Sequence, residues 1–115
     1  MFKKLRTAIY QVDDITKAKE WYINVTGIQP YFDEPFYVGF DIHGYELGLH
    51  PGKAAISNTQ ALAYWKVDDI GSSVKKLLDA GAVILEEITD VGGEIKVASV
   101  KDPWGNAVGL IEEAN

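Results

Sequence analysis

The 115-residue chain has no cysteine. That excludes a disulfide framework, a thiolate metal site and a thiol nucleophile. Long apolar runs are also missing: no window approaches the roughly 18 consecutive apolar residues of a membrane helix. The opening Met1-Phe2-Lys3-Lys4-Leu5-Arg6 carries basic residues, but neither an apolar stretch nor a small-residue cleavage site follows, so no secretory signal is expected. Positive charge is scarce and scattered. Eleven Lys and Arg face seventeen Asp and Glu, for a formal net charge of −6, and an acidic domain repels phosphate backbones. Gly92-Gly93 lacks the Lys-Ser/Thr pair and the helix that a phosphate-cradling loop needs. These absences point to a cytoplasmic protein with neither nucleic acid nor membrane as partner. What is present, 47% hydrophobic and 24% charged residues, suffices for the core of one domain.

The chain reads as two copies of one unit. Val12-Asp13-Asp14-Ile15 recurs 55 residues later as Val67-Asp68-Asp69-Ile70. Each copy follows a β-prone run, Thr7 to Gln11 and Leu62 to Lys66, and precedes a helical pattern. In the first helix Ala18, Trp21, Tyr22 and Val25 share a face; in the second Val74, Leu77 and Leu78 do. Asp14 and Asp69 suit N-caps, and Gly27 and Gly81 suit the left-handed position past a helix end. The units also end alike: Asp41-Ile42-His43-Gly44-Tyr45-Glu46-Leu47-Gly48-Leu49 aligns with Asp102-Pro103-Trp104-Gly105-Asn106-Ala107-Val108-Gly109-Leu110, now 61 residues apart. About six residues are therefore added inside the second unit, and Thr89 to Glu94 reads as the hairpin turn that holds them. The remaining strands are expected at Ile28–Phe32, Tyr37–Ile42 and Tyr45–His50, then at Val83–Ile88, Glu94–Val100 and Ala107–Ile111. Pro51 to Gln60 is read as the linker.

A strand, Val12-Asp13-Asp14, a helix ending in Trp21-Tyr22 and then Gly27 resembles the opening of the vicinal oxygen chelate superfamily. That group includes glyoxalase I, the extradiol dioxygenases, fosfomycin-resistance enzymes and bleomycin-resistance proteins. Asp102-Pro103-Trp104-Gly105-Asn106 is similar to the family's turn before its last strand. The resemblance implies an α+β fold: two βαβββ modules forming a curled mixed sheet around a cavity, in a single domain over residues 1–115. Module one covers about 1–55 and module two about 56–115. It also implies a homodimer, whose cavities are often completed by the other chain.

Metal-dependent members hold one divalent ion at four positions, which carry over here onto Thr7, Gly48, Leu62 and Gly109. Leu and Gly offer no donor, and one hydroxyl holds a divalent ion poorly. The expectation is that no metal and no other cofactor is bound, and that the two glycines leave open space where a chelate would sit. Glu46 and His50 share a strand face, yet they stand about 13 Å apart along the strand, too far to chelate one ion unaided. His43 is expected in the turn before that strand.

Strand alternation places Thr7, Ile9 and Gln11, and likewise Leu62, Tyr64 and Lys66, on the cavity face. Ala107, Gly109 and Ile111 do the same on the last strand. The cavity then has an apolar lining with polar handles at Thr7, Gln11, Glu46, His50 and Tyr64, which suits a small apolar or aromatic ligand. Tyr31, Phe32, Phe36 and Tyr37 cluster around a hairpin tip at Asp33-Glu34-Pro35. Drug-binding members of the family sandwich planar cations between aromatic rings beside acidic groups, and Phe36, Tyr37, Trp104 and Glu46 offer both. No catalytic constellation stands out. The expected protein is a small-molecule binder whose ligand touches Thr7, Ile9, Gln11, Tyr37, Glu46, Gly48, His50, Leu62, Tyr64, Trp104 and Gly109. The competing expectation is a lyase, isomerase or dioxygenase working through a displaced metal or through acid–base residues.

Overall fold

Thr7–Val12 alternates in exposure and forms β1 in a computed structural model of the chain, which describes residues 1–53 and 62–114. Two compact units emerge, Met1–Ala54 and Ala55–Asn115. Each is one helix on a four-stranded mixed sheet.

In the first unit Asp14 ends the extended segment and turns the chain into α1, Ile15–Thr26, by accepting the backbone N–H of Lys17 at 3.1 Å. Gly27, at φ 72°, stops the helix in the left-handed conformation that costs glycine least. The other strands are β2 (Phe32–Glu34), β3 (Tyr37–Ile42) and β4 (Tyr45–Pro51), in the order β1-β4-β3-β2. β1 runs parallel to β4, and the rest are antiparallel. β2 starts later than the expected Ile28. Pro30 has no N–H to give a ladder, and pairing begins with the Tyr31 N–H on the Gly39 carbonyl at 3.0 Å. The β3–β4 hairpin turns on His43 and Gly44, at φ 51° and 91°, with the Gly44 N–H held by Asp41 Oδ1 at 2.8 Å. Two left-handed residues give the type I′ twist that a two-residue hairpin favours.

Alternation sorts this sheet into two faces. Tyr10, Val12, Val38, Phe40, Leu47 and Leu49 are buried on the helix side with Ala18 and Tyr22. The Tyr10 and Tyr22 rings stack at 6.0 Å, and Trp21 meets Tyr22 edge-on at 4.8 Å. Each fully buried large side chain contributes about 1.5–3 kcal/mol. The opposite face carries Thr7, Ile9, Gln11, Tyr37, Gly39, Asp41, Glu46, Gly48 and His50.

The second unit repeats the plan with β5 (Tyr64–Lys66), α2 (Ile70–Asp79), β6 (Val83–Gly92), β7 (Ile95–Lys101) and β8 (Ala107–Glu112), ordered β5-β8-β7-β6. Asp69 caps α2 through the Ser72 N–H, and Gly81, at φ 105°, follows its end. Ile70, Val74, Ala98 and Leu110 form the core beneath the helix. The added residues do not make a long turn. They extend β6 to Gly92, and Gly93-Glu94, at φ 62° and 64°, make a two-residue turn like that of the first unit. β5 is shorter than expected, so Leu62 lies outside any strand. The two expected βαβββ modules are present, each with its own four-stranded mixed sheet. Of the expected linker, Pro51 ends β4 and residues 54–60 lie outside the described residues.

Candidate functional site

Gly39 and Gly48 are direct partners across β3 and β4. Two side chains are thus missing side by side on the face away from the helix, and the sheet has a depression there. Tyrosines fill it. A Cβ on Gly39 would stand 3.1 Å from Tyr31 Cε1, and a Cβ on Gly48 would collide with the Tyr37 hydroxyl. Glycine in a strand interior often marks such a close approach. The expected open space at Gly48 is therefore occupied by the protein's own phenol.

Both phenols end on one carboxylate. Glu46 is 9% exposed. Tyr31 Oη donates to its Oε1, and Tyr37 Oη donates to its Oε2 at 2.5 Å. Thr7, the β1 partner of Glu46 in register, and Arg6 stand on the other side. Arg6 Nη1 donates to Thr7 Oγ1 at 2.9 Å and lies 3.9 Å from Glu46 Oε2. The Arg6 carbonyl accepts the Glu46 N–H at 2.8 Å, which anchors the backbone that carries the guanidinium.

Burial alone pushes the Glu46 carboxyl up. The hydrogen bonds from Tyr31 and Tyr37, the Arg6 charge and the Thr7 hydroxyl outweigh it and hold the group below its ordinary range. The phenols move the other way. Burial, the bond to Glu46 and the carboxylate's charge push Tyr37 well above the usual phenol value. Tyr31 is raised chiefly by its bond to Glu46, then by burial and charge. The cluster is a carboxylate fixed in its charged form between two phenols fixed in their neutral form.

Beside it lies a pocket of about 250 Å³ lined by Arg6, Tyr31, Asp41, Gly44, Tyr45 and Glu46. The remaining expected residues of this unit are placed as follows. Gln11 and His50 form a separate pair, with Gln11 Oε1 at 3.0 Å from His50 Nδ1. Ile9 is 53% exposed. Phe36 is exposed near the β2–β3 turn with Phe32 edge-on at 6.0 Å, and Phe32 also lies 6.1 Å from Tyr37. Reading the sequence alone overlooks Arg6, Tyr31, Asp41 and Tyr45 as site residues. The signal available for Tyr31 is Gly39, a second missing side chain beside Gly48.

In the second unit Tyr64 pairs directly with Gly109. A Cβ on Gly109 would come within 2.6 Å of the Ala63 carbonyl and 2.7 Å of Tyr64 Cδ1. This space is also filled, here by a ring and a backbone oxygen. Trp104 sits half-buried in its turn, where its backbone N–H donates to Asp102 Oδ1 at 2.9 Å. Asp102 is itself buried and takes the Asn106 N–H at 2.8 Å, so it fixes the turn.

Thr7, Gly48, Leu62 and Gly109 do not fit a divalent ion. Three lack any side-chain donor, and the slots beside both glycines are taken by tyrosines from their own units. Glu46 and His50 spend atoms on Tyr31, Tyr37 and Gln11. Among the described residues no group of three or more His, Asp or Glu side chains gathers closely enough to share a metal, and no helix is long and apolar enough to cross a membrane.

Solved structures share this fold at low identity. A glyoxalase/bleomycin resistance protein/dioxygenase family enzyme from Burkholderia phytofirmans PsJN is 18% identical, with TM-score 0.80 over 97% of this chain and 100% of that one. The fosfomycin resistance protein FosX from Listeria monocytogenes, solved with Mn(II) and sulfate, is 16% identical, with TM-score 0.81 over 99% and 93%. A lactoylglutathione lyase from Agrobacterium tumefaciens is 18% identical, with TM-score 0.73 over 95% and 92%. No curated protein matches the sequence. The family model for the glyoxalase/bleomycin resistance protein/dioxygenase superfamily matches residues 4–110. With that match spanning nearly the whole chain and both units built as β-α-β-β-β, the protein belongs to the glyoxalase/bleomycin resistance protein/dioxygenase superfamily.

Proposed function

We propose that this chain is a small-molecule-binding member of its superfamily that works without the family metal, and that the Glu46 cluster of the first unit orients the ligand. The observation that carries this reading is the pairing of Glu46 with the Tyr31 and Tyr37 phenols. A general base needs a carboxyl poised near the working pH, and a general acid needs a proton it can release. The Glu46 carboxyl is shifted down and both phenols are shifted up, each away from that range, which favours holding a ligand over exchanging protons with it. What the cluster does offer is a preorganised polar anchor beside exposed aromatic surface at Tyr31 and Tyr45. That combination suits a ligand with an aromatic or apolar body fixed by a few polar contacts. A homodimer is part of the reading. Ile9 and Tyr64, at 53% and 45% exposure, are large apolar groups left open on their sheets, and sedimentation of the purified chain tests for it.

The test is elemental analysis of protein purified without chelator, then titration with Ni²⁺, Zn²⁺, Mn²⁺ and Fe²⁺ and a thermal-shift screen of planar aromatic compounds. The expected result is no near-stoichiometric metal and saturable stabilisation by compounds of the screen. Tight stoichiometric metal, with turnover in lyase or dioxygenase assays that depends on it, overturns the proposal in favour of an enzyme.

A further inference from the structure

The pocket beside Glu46 carries charge of both signs, and its parts are unequally spent. Glu46 already receives two phenols, with Thr7 and Arg6 alongside. Asp41, directly across from Glu46 on β3, is exposed and gives Oδ1 to the Gly44 N–H, which leaves its second carboxylate oxygen as an acceptor for a ligand. On the opposite flank the Arg6 guanidinium gives Nη1 to Thr7 and keeps donors to spare. The two charged groups belong to segments on either side of β4, whose neighbours stand about 10 Å apart across it, and long side chains shorten that span. Tyr31 and Tyr45 complete the lining, with the Tyr31 ring over Gly39 on the same face as Glu46. A plain anion would meet Arg6 but also two carboxylates. A plain cation would meet Asp41 and Glu46, but Glu46 is already engaged by two phenols, and the Arg6 charge stands beside it. A molecule with an ammonium at one end and a carboxylate at the other answers both, and mismatched charge is what a site uses to reject the wrong ligand.

We infer that the pocket lined by Arg6, Tyr31, Asp41, Tyr45 and Glu46 binds a small zwitterion of the amino-acid class, its carboxylate on Arg6 and its ammonium on Asp41, with the body of the molecule against the Tyr31 ring. The inference rests on the small-molecule-binding reading and names the chemistry of its ligand. Size agrees: about 250 Å³ lies below the roughly 300–1,000 Å³ of pockets that take drug-sized compounds. The Glu46 charge, locked in place by the phenols, keeps the floor of the site polar and fixed. Arg6 suits the carboxylate end because a guanidinium presents several donors in a planar fork.

The test uses the full chain and three probes of nearly one shape: L-phenylalanine, L-phenylalaninamide, which lacks the carboxylate, and N-acetyl-L-phenylalanine, which lacks the ammonium. Titration is followed by calorimetry and by the amide resonances of Gly44 and Glu46. The expected result is that phenylalanine binds at least roughly tenfold tighter than either derivative, about 1.4 kcal/mol. Arg6→Gln should erase the gap to the amide, and Asp41→Asn the gap to the N-acetyl compound. Both positions are at the surface, and an unchanged thermal midpoint shows that the variants fold. Equal or tighter binding of the amide or of the N-acetyl compound overturns the inference, as does unsaturable phenylalanine with silent Gly44 and Glu46 resonances. The neutral aromatic 2-naphthol separates the two failures. If it binds while phenylalanine does not, only the zwitterion is lost; if it and the aromatic screen both fail, the small-molecule reading is lost as well.

Discussion

The two units solve the same geometric problem in opposite ways. Each has a glycine at the middle of its last strand, Gly48 in β4 and Gly109 in β8, and each covers that glycine with a tyrosine. In the second unit the cover is Tyr64, the residue directly paired with Gly109, lying ring-down over it. In the first unit the equivalent paired residue is Ile9, which stays exposed, and the cover comes from Tyr37 on the other neighbouring strand. Tyr37 arrives hydroxyl first because Glu46 receives it. The repeat places Ala107 where the first unit has Glu46, so the second unit has no acceptor there. One carboxylate thus separates an apolar cover from a polar site.

Substitution at the glycines sharpens this contrast most. Gly109→Ala sets a Cβ against the Ala63 carbonyl and the root of the Tyr64 ring, at 2.6 and 2.7 Å. Backbone must move, so a loss of about 3 kcal/mol in denaturant unfolding is expected, at the upper end for overpacking. Gly48→Ala meets only the far end of Tyr37. That side chain can swing away at the cost of its bond to Glu46, so a loss of about 1–2 kcal/mol is expected. If Gly48→Ala costs as much as Gly109→Ala, the two covers are equally rigid and the contrast fails.

Glu46→Gln tests whether the carboxylate makes the difference. It replaces two charge-assisted bonds with weaker ones, and a loss of about 1–2 kcal/mol is expected at neutral pH. Tyr37→Phe should cost slightly less, about 1 kcal/mol, since it removes one of the two bonds. Mutating both residues measures their coupling, and additive losses would show that the phenol and the carboxylate do not act together.

The pH dependence follows from the same cluster. Glu46 has a lowered pKa in the folded chain, so its contribution to stability is present above the ordinary carboxylate range and is lost as pH falls through its lower folded value. Tyr37 has a raised pKa, so its contribution is present below the ordinary phenol range and is lost as pH rises through its higher folded value. Stability curves of the parent and Glu46→Gln are expected to converge at low pH. Parallel curves down to acid would show that Glu46 is not held ionised. The smallest effect is expected for His50→Ala, which removes the exposed contact with Gln11 and should change stability by under about 0.5 kcal/mol.

Much of the architecture was legible from the chain. The Val-x-Asp repeats located both helix starts because an N-cap aspartate has a local job that neighbouring residues reveal, and Asp14 and Asp69 both perform it. Period-two alternation sorted Tyr10 and Val12 from Thr7 and Ile9, since a strand's two faces follow from its pleat alone. The extent of β6 was not legible, because whether Thr89 to Gly92 turns or pairs depends on a partner strand that continues opposite it.

The site divides along the same line. That Gly48 and Gly109 lack donors, and that Glu46 shares a face with Gly48, are properties of residue type and spacing, and those the sequence settled by itself. What fills the glycine slots was decided only in three dimensions. Tyr31 and Tyr37 reach Glu46 from 15 and 9 residues away in the chain, and the depression they enter exists only once β3 and β4 pair Gly39 with Gly48. An empty position in a sequence becomes a cavity or a socket according to which side chain the strand register brings over it, and register is a property of the folded sheet.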